Sequence, residues 1–157
     1  MHGSVVSTER VIAAPPEAIF DLVADASRHP DIDGSGHVKQ VKSDSPERLS
    51  LGSTFGISMH MGIGYSMFNT VVEFEDNRRI AWQTRPRGFV GKFVGGRIWR
   101  YELEPVEGGT RVRESWDISE DHQRALLRLG KMAEQTRAAM DGTLDRIEEL
   151  TAAPDHP

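Results

Sequence analysis

The order of its elements constrains this chain more than any motif in it: a strand pattern, a short helix opened by Pro15-Pro16, a long succession of strand patterns, and one long amphipathic helix at the end. A curved antiparallel sheet with a single long helix laid into its concave face cannot fill its own interior and tends to leave a pocket between the two layers. The expected fold is α+β: an antiparallel sheet of six to seven strands wrapped around a long C-terminal helix, with two short helices after the first strand.

Ser4 to Ile12 is rich in Val and Thr and reads as the first strand. Proline is tolerated in a first helical turn, where no amide partner is needed, so Ala14-Pro15-Pro16-Glu17 opens a helix that carries Ile19, Phe20, Leu22 and Val23 to about Asp25. A second short helix is expected from Ser27 to Asp31. Period-two alternation then predicts strands at 37–43, 54–61, 65–75, 79–85, 97–104 and 110–119, with turns at Gly62-Ile63-Gly64, Asp76-Asn77, residues 86–96 and Glu107-Gly108-Gly109. Links this short make successive strands antiparallel neighbours. In the tail Met132, Thr136, Ala139, Met140, Thr143, Ile147 and Leu150 recur at helical spacing. Residues 1–152 are expected to form one domain and 153–157 a disordered tail.

Composition removes several function classes. A net charge of -5 argues against a general nucleic-acid binder, which needs a cationic face. With no cysteine there is no disulfide, thiolate nucleophile or zinc-thiolate site. The first residues lack the pattern of a signal peptide, and no stretch approaches the roughly 20 apolar residues of a membrane helix, so a cytoplasmic protein is expected.

Three segments carry a family resemblance: Ala-Ala-Pro-Pro-Glu-Ala-Ile-Phe-Asp-Leu-Val-Ala-Asp after the first strand, Glu-Phe-Glu-Asp-Asn-Arg-Arg-Ile-Ala-Trp ending at Trp82, and Tyr101-Glu-Leu-Glu-Pro-Val-Glu-Gly-Gly-Thr-Arg-Val. With the closing helix, they resemble the START-like (SRPBCC, helix-grip) superfamily and are most similar to its bacterial polyketide cyclase/dehydrase-like branch, from Val5 to about Leu150. The resemblance implies the helix-grip fold and a ligand class by analogy: lipids, sterols, polyketides or plant metabolites, some of them cyclised or dehydrated where they bind. Where such proteins usually carry an aromatic residue after the first helix, this chain has Ser27-Arg28-His29-Pro30-Asp31, a variant associated with actinobacterial members, which implies a more polar pocket mouth.

Alternation assigns an inner face to each strand. Phe55, Ile57, Met59 and Met61 share one side of theirs, Trp99, Tyr101 and Leu103 another, and Val112, Glu114, Trp116 and Ile118 a third. Met67 and Trp82 join this face, opposite Met132, Met140 and Leu144 of the last helix. Each alone suits ordinary core. As a set, aromatic faces and thioethers around one concavity suit a pocket that adapts to an apolar ligand. Glu114 is the exception on its strand: a carboxyl carried inward among apolar groups would have a raised pKa and could donate a proton, orient a hydroxyl or act as a base, unless an arginine pairs it or a bulge turns it outward.

Asp31, Asp33, Ser35 and Gly36 match the first half of a calcium loop, but Lys42 stands where a bidentate glutamate is required, so capped turns are expected instead, with His29 and Asp33 as polar groups at the pocket mouth. The remaining histidines have no paired ligand spacing, so neither a metal nor a cofactor is expected. Gly88 to Gly96 does not end in Gly-Lys-Ser/Thr and leads into no helix; Phe89 and Phe93 on it suit a lid or gate, a dimer contact, or a loop folded on the core.

The leading expectation is binding, or transport, of a small hydrophobic lipid-like or polyketide-like molecule by a monomer or homodimer. The alternatives are a cyclase, aromatase or dehydratase in which Glu114 and Tyr101 move protons, and a protein-interaction module.

Overall fold

The computed structural model describes residues 5–34, 38–41, 48–61, 63–85, 95–121, 125 and 131–152, with the backbone alone at 38–41, 57–61 and 63–67. Strand β1 (Val5–Ile12) leads into α1 (Pro16–Val23), a 3-10 turn (Ala26–Arg28) and α2 (His29–Ile32). Strands β2 (Val38–Val41), β3 (Thr54–Met61), β4 (Ile63–Glu75), β5 (Arg79–Arg85), β6 (Arg97–Val106) and β7 (Gly109–Asp117) follow, and α3 (Met132–Thr151) closes the chain. They form one curved seven-stranded antiparallel sheet in the order β1-β7-β6-β5-β4-β3-β2, which is the helix-grip arrangement expected from the sequence. Among the described residues no helix is long and apolar enough to cross a membrane.

Local chemistry sets the ends of these elements. Pro15, in extended backbone, precedes α1 and Pro16 occupies its first turn, while Asp25 caps the following 3-10 turn by accepting from the Ser27 amide at 3.0 Å and hydroxyl at 2.6 Å. Strand β6 runs two residues past its expected end at Glu104, through Pro105 to Val106. The Leu103 amide donates to Arg78 O at 2.7 Å, at the margin of β5, so the amide position of residue 105 points past that neighbour. Proline removes no ladder bond there.

Helix α3 lies on β1 and β7. Thr136, Met140, Thr143, Leu144 and Ile147 are its buried stripe. Leu150, expected in that stripe, is 44% exposed, because a 3.6-residue period carries the inner face from Ile147 to Thr151. The interior has two apolar parts. The larger gathers Ile19, Phe20 and Val23 of α1 with Phe55, Ile80, Trp82, Tyr101 and Leu144. The smaller comprises Val6, Trp116, Ile118 and Met140, and half-buried Trp99 touches both.

Candidate functional site

Between these two apolar parts lies a polar belt, and Glu114 is its centre. The register pairs Trp99 with Trp116, Tyr101 with Glu114 and Leu103 with Val112, so alternation puts all six on the concave face. Glu114 is 3% exposed. The Tyr101 hydroxyl donates to its Oε1 at 2.8 Å, while Oε2 has no hydrogen-bond partner among the described residues. Burial pushes the Glu114 carboxyl up to about 8 against the opposing pull of the Tyr101 hydrogen bond, and the negative charges of Asp33 and Asp141 add to the rise. Burial, then the proximity of Glu114, raises the Tyr101 phenol well above its ordinary 10. At neutral pH the pair is therefore uncharged, with a proton to give on the side away from Tyr101.

The other wall is a row of rings. Trp82 lies 5.7 Å from Tyr101, His29 stacks on Trp82 at 4.9 Å, and Phe55 meets His29 edge-on at 5.3 Å. His29 is thus not a polar group at the mouth: α2 carries its imidazole into the interior, where it takes the place of an aromatic side chain. Its Nε2–H donates to Val23 O at 2.8 Å, and burial lowers its pKa below the ordinary 6.5, which keeps it neutral. Further along the same face Thr84 donates to Asn69 Oδ1 at 2.6 Å, closing a buried polar pair.

Thr8, Asp33 and Asp141 complete the belt. Thr8 is the register partner of Glu114 on β1, and its hydroxyl donates to Asp141 of α3. Asp33 reaches the same neighbourhood because Gly34 and Gly142 let two backbones touch: a Cβ at Gly34 would stand 2.3 Å from Ala139 O, and one at Gly142 would stand 3.1 Å from Gly34 Cα. The Gly34 amide donates to the Thr143 hydroxyl at 3.0 Å, which fixes this crossing. Sequence reasoning missed Thr8 and Asp141 as site residues. The glycine pair was the available signal, but it marks a contact only once both partners are known.

Trp116 and Met140 are buried in the smaller apolar part, with Trp99 at 6.4 Å from Trp116 and Met132 half-buried beside them. Leu144 lies in the larger part. The side chains of Met59, Met61 and Met67, and the whole of Phe89 and Phe93, fall outside the described residues. Gly96, at the end of the expected gate, is packed: its amide donates to Thr84 O at 2.8 Å, and a Cβ on it would stand 2.7 Å from Glu120 O.

On the convex face a shallow cleft of about 200 Å³ is lined by charges of both signs. Arg79, Arg111 and Arg113 there pair with Glu102, Glu104 and Glu9 at 3.2, 3.1 and 2.9 Å. Three of its four acids have cations, and of apolar side chains only Leu103 lines it. Among the described residues no group of three or more His, Asp or Glu could hold a metal ion.

Comparison with known proteins agrees with this fold. Residues 4–151 match the family model described as polyketide cyclase / dehydrase and lipid transport. An uncharacterized protein of Mycobacterium tuberculosis is 29% identical over 157 residues, covering 94% of this chain; the chain spans only 64% of that protein's length. Among solved structures, a Mycobacterium smegmatis protein superposes with a TM-score of 0.70 at 17% identity, over 93% of this chain and 89% of its own. An AHSA1-like protein from Aeromonas hydrophila does so with a TM-score of 0.66 at 19% identity, over 98% and 99%. At these identities the solved structures speak for the fold alone.

Proposed function

Since the chain belongs to the polyketide cyclase/dehydrase and lipid transport family, we propose that it holds a small hydrophobic lipid-like or polyketide-like molecule between the sheet and α3, with its polar end at Glu114. The observation that carries this reading is the Oε2 of Glu114, which has no partner among the described residues and is buried between two apolar clusters. A buried carboxyl without a cation destabilises a fold, and structural acids usually acquire a partner, so a lone one supports a role in recognition. Trp82, Trp99, Trp116, Phe55, Met132, Met140 and Leu144 would contact the apolar body. We further propose a cytoplasmic protein, monomeric or homodimeric, with no nucleic-acid partner.

The test is a titration of fatty acids, sterols and aromatic polyketides against tryptophan emission and melting temperature. Saturable change in both is expected for at least one class, because Trp99 is half-buried beside the site and a ligand that binds only the folded state raises its stability. A panel that leaves both unchanged overturns the reading.

A second reading is favoured by one observation, the Glu114 carboxyl held at about 8 beside the Tyr101 hydroxyl. A group of that pKa is matched to proton transfer near neutral pH, so Glu114 and Tyr101 would serve a cyclase, aromatase or dehydratase, with the pocket folding a polyketone. Glu114→Gln separates the two: turnover lost with binding kept supports the enzyme, whereas weakened binding of a ligand that is never transformed supports the carrier.

A further inference from the structure

Apart from the proton that Glu114 carries near neutral pH, the described donors of the polar belt are already committed to internal acceptors. Tyr101 gives its one hydroxyl proton to Glu114 Oε1, Thr8 gives its own to Asp141, and Thr143 gives its own to Ala139 O at 3.1 Å. Buried between the two apolar clusters is Glu114 Oε2, which has no partner among the described residues and becomes a free acceptor once the carboxyl ionises.

Among the described residues, the charges on the elements packed against that atom have one sign or are occupied. Asp141 on α3 and Asp33 after α2 place negative charge near it. His29 on α2 is kept neutral by burial. Arg10, two residues beyond Thr8 on β1, is held by Asp145 at 2.5 Å and Glu148 at 3.4 Å, and Arg97 on β6 by Asp121 at 3.2 Å. Neither arginine is bonded to Glu114.

We propose that the molecule held here is an apolar amine, whose protonated nitrogen is received by Glu114 Oε2 while its chain lies against Trp99, Trp116 and Met140. The proposal rests on the ligand-binding reading above and names its headgroup. An ammonium supplies the donors and the positive charge that no described residue bonds to Glu114; a hydroxyl supplies one donor and no charge, and a carboxylate adds a further negative group near Glu114. The ammonium keeps its protons. Glu114, protonated in the empty site, loses its proton to solvent as the ion pair forms, so binding near neutral pH releases a proton from a carboxyl held at about 8.

Three probes with one tail decide the matter: dodecylamine, dodecanol and dodecanoate, titrated as monomers into the whole chain with tryptophan emission as the readout. Calorimetry in two buffers of different ionisation heat counts the protons. The expected order is amine first, by about tenfold or more over the alcohol, with the carboxylate weakest, and proton release for the amine alone. Glu114→Gln should bring the ratio of amine to alcohol affinity close to one and abolish the release.

Dodecanoate binding as tightly as dodecylamine, or an amine bound without proton release, overturns the proposal. So does an amine preference that survives Glu114→Gln, which would mark adsorption to a protein of net charge -5. If the glutamine variant does not fold, the proton count on the unaltered protein decides by itself. Dodecanol bound with no preference for the amine removes only the headgroup assignment; failure of all three probes removes the ligand-binding reading with it.

Discussion

Glu73 and Glu114 are the same side chain on opposite faces of one sheet, and their surroundings give them opposite character. An irregularity in the β4–β5 ladder between Val71 and Glu73 turns Glu73 to the convex face, opposite Ala81. There Arg100 grips both carboxylate oxygens, at 2.5 and 2.9 Å, and that hydrogen-bonded cation holds the Glu73 pKa below its ordinary 4.5. Glu114, on the concave face, meets a neutral phenol and two further acids, and its pKa climbs to about 8. A carboxylate with a guanidinium is a structural strut. A carboxyl without one is a loaded group, and its presence tells where the fold gives up stability for something else.

The largest expected effect is the pH dependence that this difference creates. The Glu114 carboxyl binds its proton more tightly in the folded chain than in the unfolded one, so its contribution is fully present below about 4.5 and is lost as pH rises through about 8. Between about pH 6 and about pH 9 the loss should be roughly 3 kcal/mol by urea denaturation. Glu114→Gln should flatten that limb and be the more stable protein at the alkaline end. His29 acts in the opposite sense: its lowered pKa gives stability that is present above 6.5 and declines as pH falls below it. An alkaline limb unchanged by Glu114→Gln would erase the contrast between the two faces.

Tyr101→Phe comes next. It removes the hydrogen bond that Glu114 accepts among the described residues and should cost about 1–2 kcal/mol at about pH 6, since an acceptor buried without a donor retains most of its desolvation penalty. Because the phenol favours the charged carboxylate, its loss should also move the end of the alkaline decline to higher pH. Stability lowered with no movement of that midpoint would mean that the hydroxyl serves packing rather than the carboxyl.

How much of this was legible in the sequence depends on the range of the interaction. Strand and helix positions follow from alternation, turn residues and proline, which act over a few neighbours; the β6 end was misjudged because Pro105 reads as a breaker until the margin of β5 is seen. Glu114 stood out as an acid between Val112 and Trp116, a local pattern. Its union with Tyr101 needs the β6–β7 register, and the approach of Asp33 and Asp141 needs the crossing of Gly34 and Gly142, which lie far apart in the chain. His29 was read as a polar residue because histidine is one; only the ring row of Phe55 and Trp82 makes it core.

On the convex face the effects should be smaller and graded by exposure. Arg100→Ala leaves Glu73 and Asp117 without their shared cation, where the Arg100 side chain is 19% exposed, and should cost about 1 kcal/mol.

Arg111→Ala is the smallest. Its pair with Glu104 has side chains 42% and 67% exposed, so water screens both charges before and after the change, and the strand keeps its ladder bonds in either case. The expected loss is under about 0.5 kcal/mol, and added salt should reduce it further, whereas the alkaline limb that Glu114 generates is set by burial and should persist in high salt. Urea curves of the two variants at low and high ionic strength make the comparison. If removing Arg111 costs as much as removing Arg100, the convex charges act as one cooperative network, and the outer face then has a stake in stability comparable to that of the interior.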